Sequence, residues 1–240
     1  MYPALIRYVC PRKCEVSIAG EWMEETNRPV IFFDWDGTLA DSMDLCLGEI
    51  RLALERIGHA PVDEARIRAC NGPTHEESIA VLGLDPLIGP QFLQERIRAE
   101  QELIPKLLKL YPGVEKMLKE LHNFADLVIV SNGQEDYIRS SVAVFGLTEC
   151  FIKIQAAVPG KSKTEVLSSL LNEMRPKRAL LVGDRQTDIF AGVYNHITTI
   201  AVSYGYGAQY EWSKADSIAF SVTDLSRLLR DYSKTRIFCE

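Results

Sequence analysis

The chain has 240 residues, a length that fits one large domain or one domain carrying an insertion. Its 47% hydrophobic and 25% charged residues describe an ordinary globular protein with a buried core and exclude a fibrous or disordered chain. A formal charge of -6 excludes the basic footprint that nucleic acid or an anionic membrane surface requires, and no apolar run approaches the ~20 residues of a membrane span, so small ligands are the expected partners.

At the N-terminus, Arg7, Arg12, Lys13 and Glu15 fall where a signal peptide needs its apolar stretch, and the expected location is the cytoplasm. Residues 1–28 are expected to form an N-terminal extension, of which 1–22 at most pair as a hairpin around Pro11 and are dispensable for catalysis. Its alternative role is a contact through Trp22 in a chain that is a monomer or a homodimer. Of the six cysteines only Cys10 and Cys14 are close, and their C-x3-C spacing lacks the second pair of a zinc site; all six read as reduced thiols.

The first apolar run, Val30 to Phe33, predicts a strand. Further strands are predicted at Leu127–Val130, Phe151–Gln155, Ala179–Val182 and Thr198–Val202, alternating with helical patterns. That alternation predicts an α/β fold, a doubly wound parallel sheet of Rossmann-like type. Between Met43 and Leu110 the apolar residues recur at three- and four-residue spacing, which predicts an inserted all-helical subdomain over 43–110. The core is then 29–42 and 111–240, with the Pro-Gly turn of "YPGV" marking re-entry. Four predicted strands end at Asp34, Ser131, Asp184 and Ser203, and in such sheets the ligand crevice lies beyond those ends.

The stretch "FFDWDGTLADS" places Asp34 and Asp36 one residue apart, with Gly37 and Thr38 behind them. In extended backbone the two carboxylates share a face, where their repulsion drives one pKa up or calls for a cation. One carboxylate is then available as a nucleophile and its protonated neighbour as a general acid. Taken alone, Asp-Gly-Thr is an ordinary turn. A second acid pair, Asp184 and Asp188 in "GDRQTD", follows another strand; alone it reads as a helix cap. Acids from two strand ends in one place suit Mg²⁺, which takes a few carboxylate oxygens together with water and substrate phosphate. Anionic attack on an anionic ester also needs donors and a positive charge. Ser131, Asn132 and Gly133 in "VSNG" supply donors, and "GKSKTEVL" supplies Lys161 or Lys163, the latter set in the first turn of a helix by the S-x-x-E box of Ser162 and Glu165.

In this order, D-x-D-G-T at Asp34–Thr38, the strand ending in Ser131, the helix-start lysine and G-D-x3-D at Gly183–Asp188 resemble the haloacid dehalogenase superfamily of phosphohydrolases. The stretch "VSYGYG" at Val202–Gly207 is similar to its phosphoglycolate-phosphatase-like members. The resemblance implies Asp34 as nucleophile forming an aspartyl-phosphate, Asp36 as general acid and base, and Ser131 and Lys163 on the phosphoryl oxygens, with Lys163 preferred to Lys161. Gly37, Thr38, Asn132 and Gly133 complete the substrate-binding set. The resemblance implies Mg²⁺ held by Asp34, the Asp36 carbonyl, Asp184 and Asp188, and a small helical cap over a small phosphorylated metabolite, phosphoglycolate by family analogy. His75, Glu76 and Glu77 are the cap residues that would tune the substrate. Relatives that dehalogenate lack the second aspartate, and those that cleave phosphonates carry Ala there. A hexose-phosphate mutase of the β-phosphoglucomutase type remains an alternative, though Cys46 and His75 stand where such relatives carry His and Arg, as does a catalytically idle protein of the same fold.

Overall fold

The computed structural model describes residues 28–234. The elements run β1 (Val30–Phe33), β2 (Ala40–Asp41), α1 (Met43–Arg56), α2 (Glu64–Arg68), α3 (His75–Leu82), α4 (Gly89–Leu107), β3 (Lys109–Leu110), α5 (Val114–Leu121), β4 (Asp126–Val130) and α6 (Glu135–Val144). They continue through β5 (Phe151–Gln155), α7 (Lys163–Met174), β6 (Ala179–Gly183), α8 (Gln186–Tyr194), β7 (Thr198–Val202), β8 (Ser217–Ala219) and α9 (Val222–Lys234).

Six strands form one parallel sheet in the order β5-β4-β1-β6-β7-β8. The chain builds outward from β1 through β4 to β5, then crosses back to β6 on the other side of β1. This is the doubly wound α/β sheet expected, with its switch point at β1. β1 is apolar throughout because it is covered on both faces. Ile31 and Phe33 pack with Leu118 of α5, Ile138 of α6 and Leu225 of α9, while Val30 and Phe32 pack with Leu167 of α7 and Ala191 of α8.

The segment from α1 to α4 holds an apolar cluster of its own, in which Ile50 and Leu54 of α1 meet Ile67 of α2, Leu82 of α3 and Phe92 of α4. Where the chain leaves and rejoins the sheet layer, β2 and β3 pair antiparallel, Ala40 opposite Leu110 and Asp41 opposite Lys109. Strands of two residues, or three as in β8, are too short to leave a period-2 pattern, so neither this pairing nor β8 was visible in the sequence. Among the described residues no helix is long and apolar enough to cross a membrane.

Two boundaries differ from expectation. Arg28, assigned to the N-terminal extension, belongs to the core edge: its guanidinium pairs with Asp126 and donates to the carbonyls of His122 and Ala125. The rest of the extension, including the hairpin and Trp22, lies outside the described residues. Ser203 does not join the other three strand ends; its N–H donates to Ala219, continuing the ladder toward β8.

Candidate active site

Asp34 follows β1 directly, Ser131 follows β4 and Asp184 follows β6, so the three central strands deliver three side chains to one edge. Lys163 arrives from the first turn of α7, where Ser162 and Glu165 form the expected capping box. Its ammonium lies 2.9 Å from Asp34 Oδ1 and 2.6 Å from Asp188 Oδ1. Lys161, the competing candidate, is exposed. Asp188 sits in the first turn of α8, where its Oδ2 accepts from the Arg185 N–H.

Asp34, Asp184 and Asp188 are buried and offer carboxylate oxygens that all lie within 4.8 Å of one another. Burial pushes the Asp34 carboxyl well above the usual range, against the pull of Lys163, and the charges of Asp188 and Asp184 add to the rise. Burial and then Asp188 push Asp184 up to about 7. Desolvation works against the Lys163 ammonium, but Asp188 and Asp34 outweigh it and raise its pKa. Three buried carboxylates face one ammonium, and this donor set fits a hard divalent cation with oxygen ligands.

Asp184 is held by backbone. Its Oδ2 accepts from the N–H groups of Tyr206 and Gly207, and its carbonyl accepts from the Trp212 indole. A Cβ on Gly207 would fall 1.8 Å from the Asp184 carbonyl oxygen, and one on Gly183 would fall 2.3 Å from Asp188 Cβ. The glycines therefore let the second acid pair close on itself. The Tyr206 hydroxyl accepts from the N–H groups of Ser42 and Met43 and donates to Asp41, so the "VSYGYG" loop positions the start of α1 as well as Asp184.

The cleft above these groups is lined by Asp34, Asp36, Ser131, Asn132, Gly133 and Lys163 on the sheet side and by residues of α1, α3 and α4 on the other. Asp36 is partly exposed there. Loss of water raises its carboxyl pKa, moderated by Ser42 and Tyr137. The Tyr137 hydroxyl donates to Asp36 Oδ1 at 2.5 Å.

Four expected substrate-binding residues make contacts within the protein. Gly37, at φ 77°, and Thr38 lie behind the acids and do not line the cleft; the Thr38 hydroxyl points to Asp184 Oδ1 at 3.4 Å. The Asn132 amide crosses the cleft to donate to the Gly72 carbonyl. The Gly133 N–H donates to Ser131 Oγ. Beside Asn132, the Arg185 guanidinium makes a second crossing to the Asn71 carbonyl while bonding Glu211.

The far wall of the cleft carries Glu49 of α1, His75 of α3, and Arg96 and Glu100 of α4. Arg96 pairs with Glu49 at 2.7 Å, and His75 Nε2 lies 3.2 Å from Glu100 Oε1. Of the three expected cap residues only His75 reaches the cleft; Glu76 is exposed and Glu77 closes the capping box of α3 with Thr74. Sequence reasoning missed Glu49, Arg96 and Glu100. The available signal was position: Arg96 and Glu100 fall on the same helical stripe as Phe92 and Ala99, and Glu49 lies beside Cys46, Ile50 and Ala53, so charge stands where the helices are otherwise buried.

With this geometry in hand, the model of one protein family, haloacid dehalogenase-like hydrolase, matches residues 31–202. The chain belongs to the haloacid dehalogenase-like hydrolase family. The family match runs from β1 to the end of β7 and so contains Asp34, Asp36, Asp184, Asp188, Ser131 and Lys163. The chain is 28% identical over 222 residues to a phosphoglycolate phosphatase of Vibrio vulnificus, covering 85% of this chain and 96% of the relative. It is 31% identical over 189 residues to the tyrosine-protein kinase PtkA of Mycobacterium tuberculosis, covering 74% of this chain and 63% of that protein. Among solved structures, a haloacid dehalogenase-like family hydrolase from Streptococcus pneumoniae superposes with a TM-score of 0.74 at 24% identity, over 86% of this chain and 99% of the other, which shows the shared fold.

Proposed function

We propose that this hydrolase is a magnesium-dependent phosphatase that cleaves a small phosphate monoester through an aspartyl-phosphate. The observation that carries the reading is the Asp34 carboxylate held at the sheet edge by Lys163, with Asp184 and Asp188 buried behind it. An Asp34 oxygen attacks phosphorus, forming the acyl-phosphate O–P bond as the ester P–O bond breaks. Asp36, steadied by Tyr137, gives its proton to the departing alkoxide. It then takes a proton from water, whose oxygen displaces Asp34 to release phosphate. Lys163 and Ser131 bind phosphoryl oxygens and offset the repulsion between nucleophile and substrate.

Asp34, Asp184 and Asp188, with the Asp36 carbonyl, are the residues proposed to hold Mg²⁺. When bound, the cation supplies charge neutralisation at the phosphoryl oxygens. Residues 43–110 are proposed to act as the cap, shielding the cleft from water through the contacts of Asn132 and Arg185 with Gly72 and Asn71.

Relatives named phosphoglycolate phosphatase make phosphoglycolate the reference ester for assay. The deciding experiment is Asp34→Asn, which removes the nucleophile while keeping its shape. Turnover of a panel of phosphate esters should fall by at least ~10³-fold, and labelled phosphate trapped on the wild-type protein by acid quench should be absent from the variant. Unchanged turnover in the variant overturns the reading.

A further inference from the structure

We propose that the helical wall of the cleft selects phosphate esters of uncharged, hydroxylated alcohols, of polyol or sugar type, and rejects alcohols that carry a carboxylate. The inference rests on the phosphatase reading and narrows its substrate class. With phosphorus at Asp34, the leaving alcohol extends toward Glu49, His75, Arg96 and Glu100, which line the opposite side of the same cleft.

Arg96 is the group on that wall that would attract a carboxylate, and it is already engaged. Its Nε and one terminal nitrogen both donate to Glu49 Oε1, at 2.8 and 2.7 Å, and the other terminal nitrogen donates to Ser78 Oγ at 2.8 Å. Its side chain is only 4% exposed. A substrate carboxylate would have to displace Glu49 from the guanidinium, and parting that pair in a dry site leaves a charge uncompensated.

The remaining pair is suited to hydroxyl groups. Desolvation pulls the His75 imidazole down to about 4 and pushes the Glu100 carboxyl up to about 8, so near neutral pH both groups are uncharged. Paired with each other at 3.2 Å, a neutral imidazole and a carboxylic acid together leave one donor and one acceptor, the complement of an alcohol O–H. His75 is buried, and its Nδ1 has no hydrogen-bond partner. Buried polar groups left unpaired make a site discriminate strongly in favour of the ligand that pairs them.

The spacing of Glu49, His75 and Glu100 would also admit a metal ion. The guanidinium 2.7 Å from Glu49 argues against it, because that arginine already provides the positive charge there. The two walls thus divide the work: an anion-binding end at Lys163 and a charge-balanced, hydrogen-bonding end at His75 and Glu100.

The test is steady-state kinetics of the full chain with Mg²⁺ on glycerol 3-phosphate, ribose 5-phosphate, phosphoglycolate and phosphoethanolamine, with acetyl phosphate as a donor that has no hydroxyl. At least one hydroxylated ester should exceed phosphoglycolate and phosphoethanolamine in kcat/KM by about tenfold or more. Glu100→Leu should lower kcat/KM on that ester about tenfold while acetyl phosphate changes little, and Glu100→Gln, which keeps a donor and an acceptor, should restore most of the loss. Preference for phosphoglycolate or phosphoethanolamine, or equal loss on acetyl phosphate in a folded Glu100→Leu protein, overturns the inference alone. Should the leucine variant not fold, the wild-type preference decides. Hydrolysis of none of the five overturns the phosphatase reading and this inference with it.

Discussion

The two walls of the cleft are both buried and both charged, yet they are built in opposite ways. On the sheet side, Asp34 and Asp184 hang from strand ends whose positions are fixed by parallel pairing, and three acids face a single lysine. On the helical side, Glu49, His75, Arg96 and Glu100 come from three helices; Glu49 balances Arg96, and His75 lies against Glu100 with both uncharged near neutral pH. The sheet wall is short of positive charge; the helical wall is not. On the reading proposed here, the incomplete charge set is where a cation and an anionic group would bind, and the completed one is where a neutral group would be read.

The strongest way to break this contrast is to remove an acid from the sheet wall. Asp184→Ala should cost at least ~10³-fold in kcat/KM and weaken Mg²⁺ binding measured calorimetrically, and chelator should stop wild-type turnover reversibly. Full turnover in excess chelator would sink the idea that the wall needs a cation. Backbone packing gives the next effect. Gly207→Ala drives a Cβ into the Asp184 carbonyl and should destabilise the protein by about 3 kcal/mol in denaturant unfolding. Gly58→Ala in the helical segment, at φ 69° with open space around it, should cost only about 1 kcal/mol. Similar losses at the two sites would mean that the close approach to Asp184 adds nothing to the cost of a Cβ at Gly207.

A third test uses pH. Glu100 holds its proton more tightly when folded, with its pKa pushed from 4.5 up to about 8 by burial, so its contribution to stability falls as pH rises across that interval. His75 has the opposite sign, since its folded pKa of about 4 lies below the usual 6.5 and its contribution rises with pH between those values. Above pH ~6.5 the carboxyl is left unopposed by His75. Between about pH 6.5 and 8.5 the wild type should lose about 2 kcal/mol more than Glu100→Gln, in unfolding curves collected across that range. Parallel curves would mean that Glu100 is ionised in the folded state. The smallest effect is expected at Tyr137, which sits between the walls. Tyr137→Phe should lower kcat about tenfold with little change in KM, because it frees Asp36 without touching the phosphate end.

The same contrast explains what could be read in advance. Five of the six sheet strands were legible because apolar runs such as Val30–Phe33 are buried on both faces, and the acids and Lys163 were legible because they fall at fixed offsets from those runs. Lys163 could be set in a first turn by its capping box, which depends only on residues three apart. Tyr137, Arg185 and Glu211 were missed since their partners lie across the fold, as with Tyr137 and Asp36. The cap wall was read poorly for a related reason. Glu76 and Glu77 look functional beside His75 in the sequence, but on a helix neighbouring residues point apart, and only His75 turns to the cleft. Gly37 and Thr38 were attributed to substrate because they adjoin two reactive acids; in the fold they lie against Asp184, the acid of another strand.

The pairing of Ala40 with Leu110 and Asp41 with Lys109 has a consequence for how this architecture can be altered. To the sheet, everything between those two rungs has the ends of a tight turn, already brought together by backbone hydrogen bonds. The conformational cost of joining such ends grows only logarithmically with the length of chain between them, so segments of very different size can occupy the position at nearly the same cost to the sheet. Exchange of the whole helical segment at these rungs would therefore replace the wall proposed to read the alcohol and leave Asp34, Ser131, Lys163, Asp184 and Asp188 in place. If that proposal holds, the junction makes specificity a part that can be interchanged, while the chemistry stays with the sheet layer.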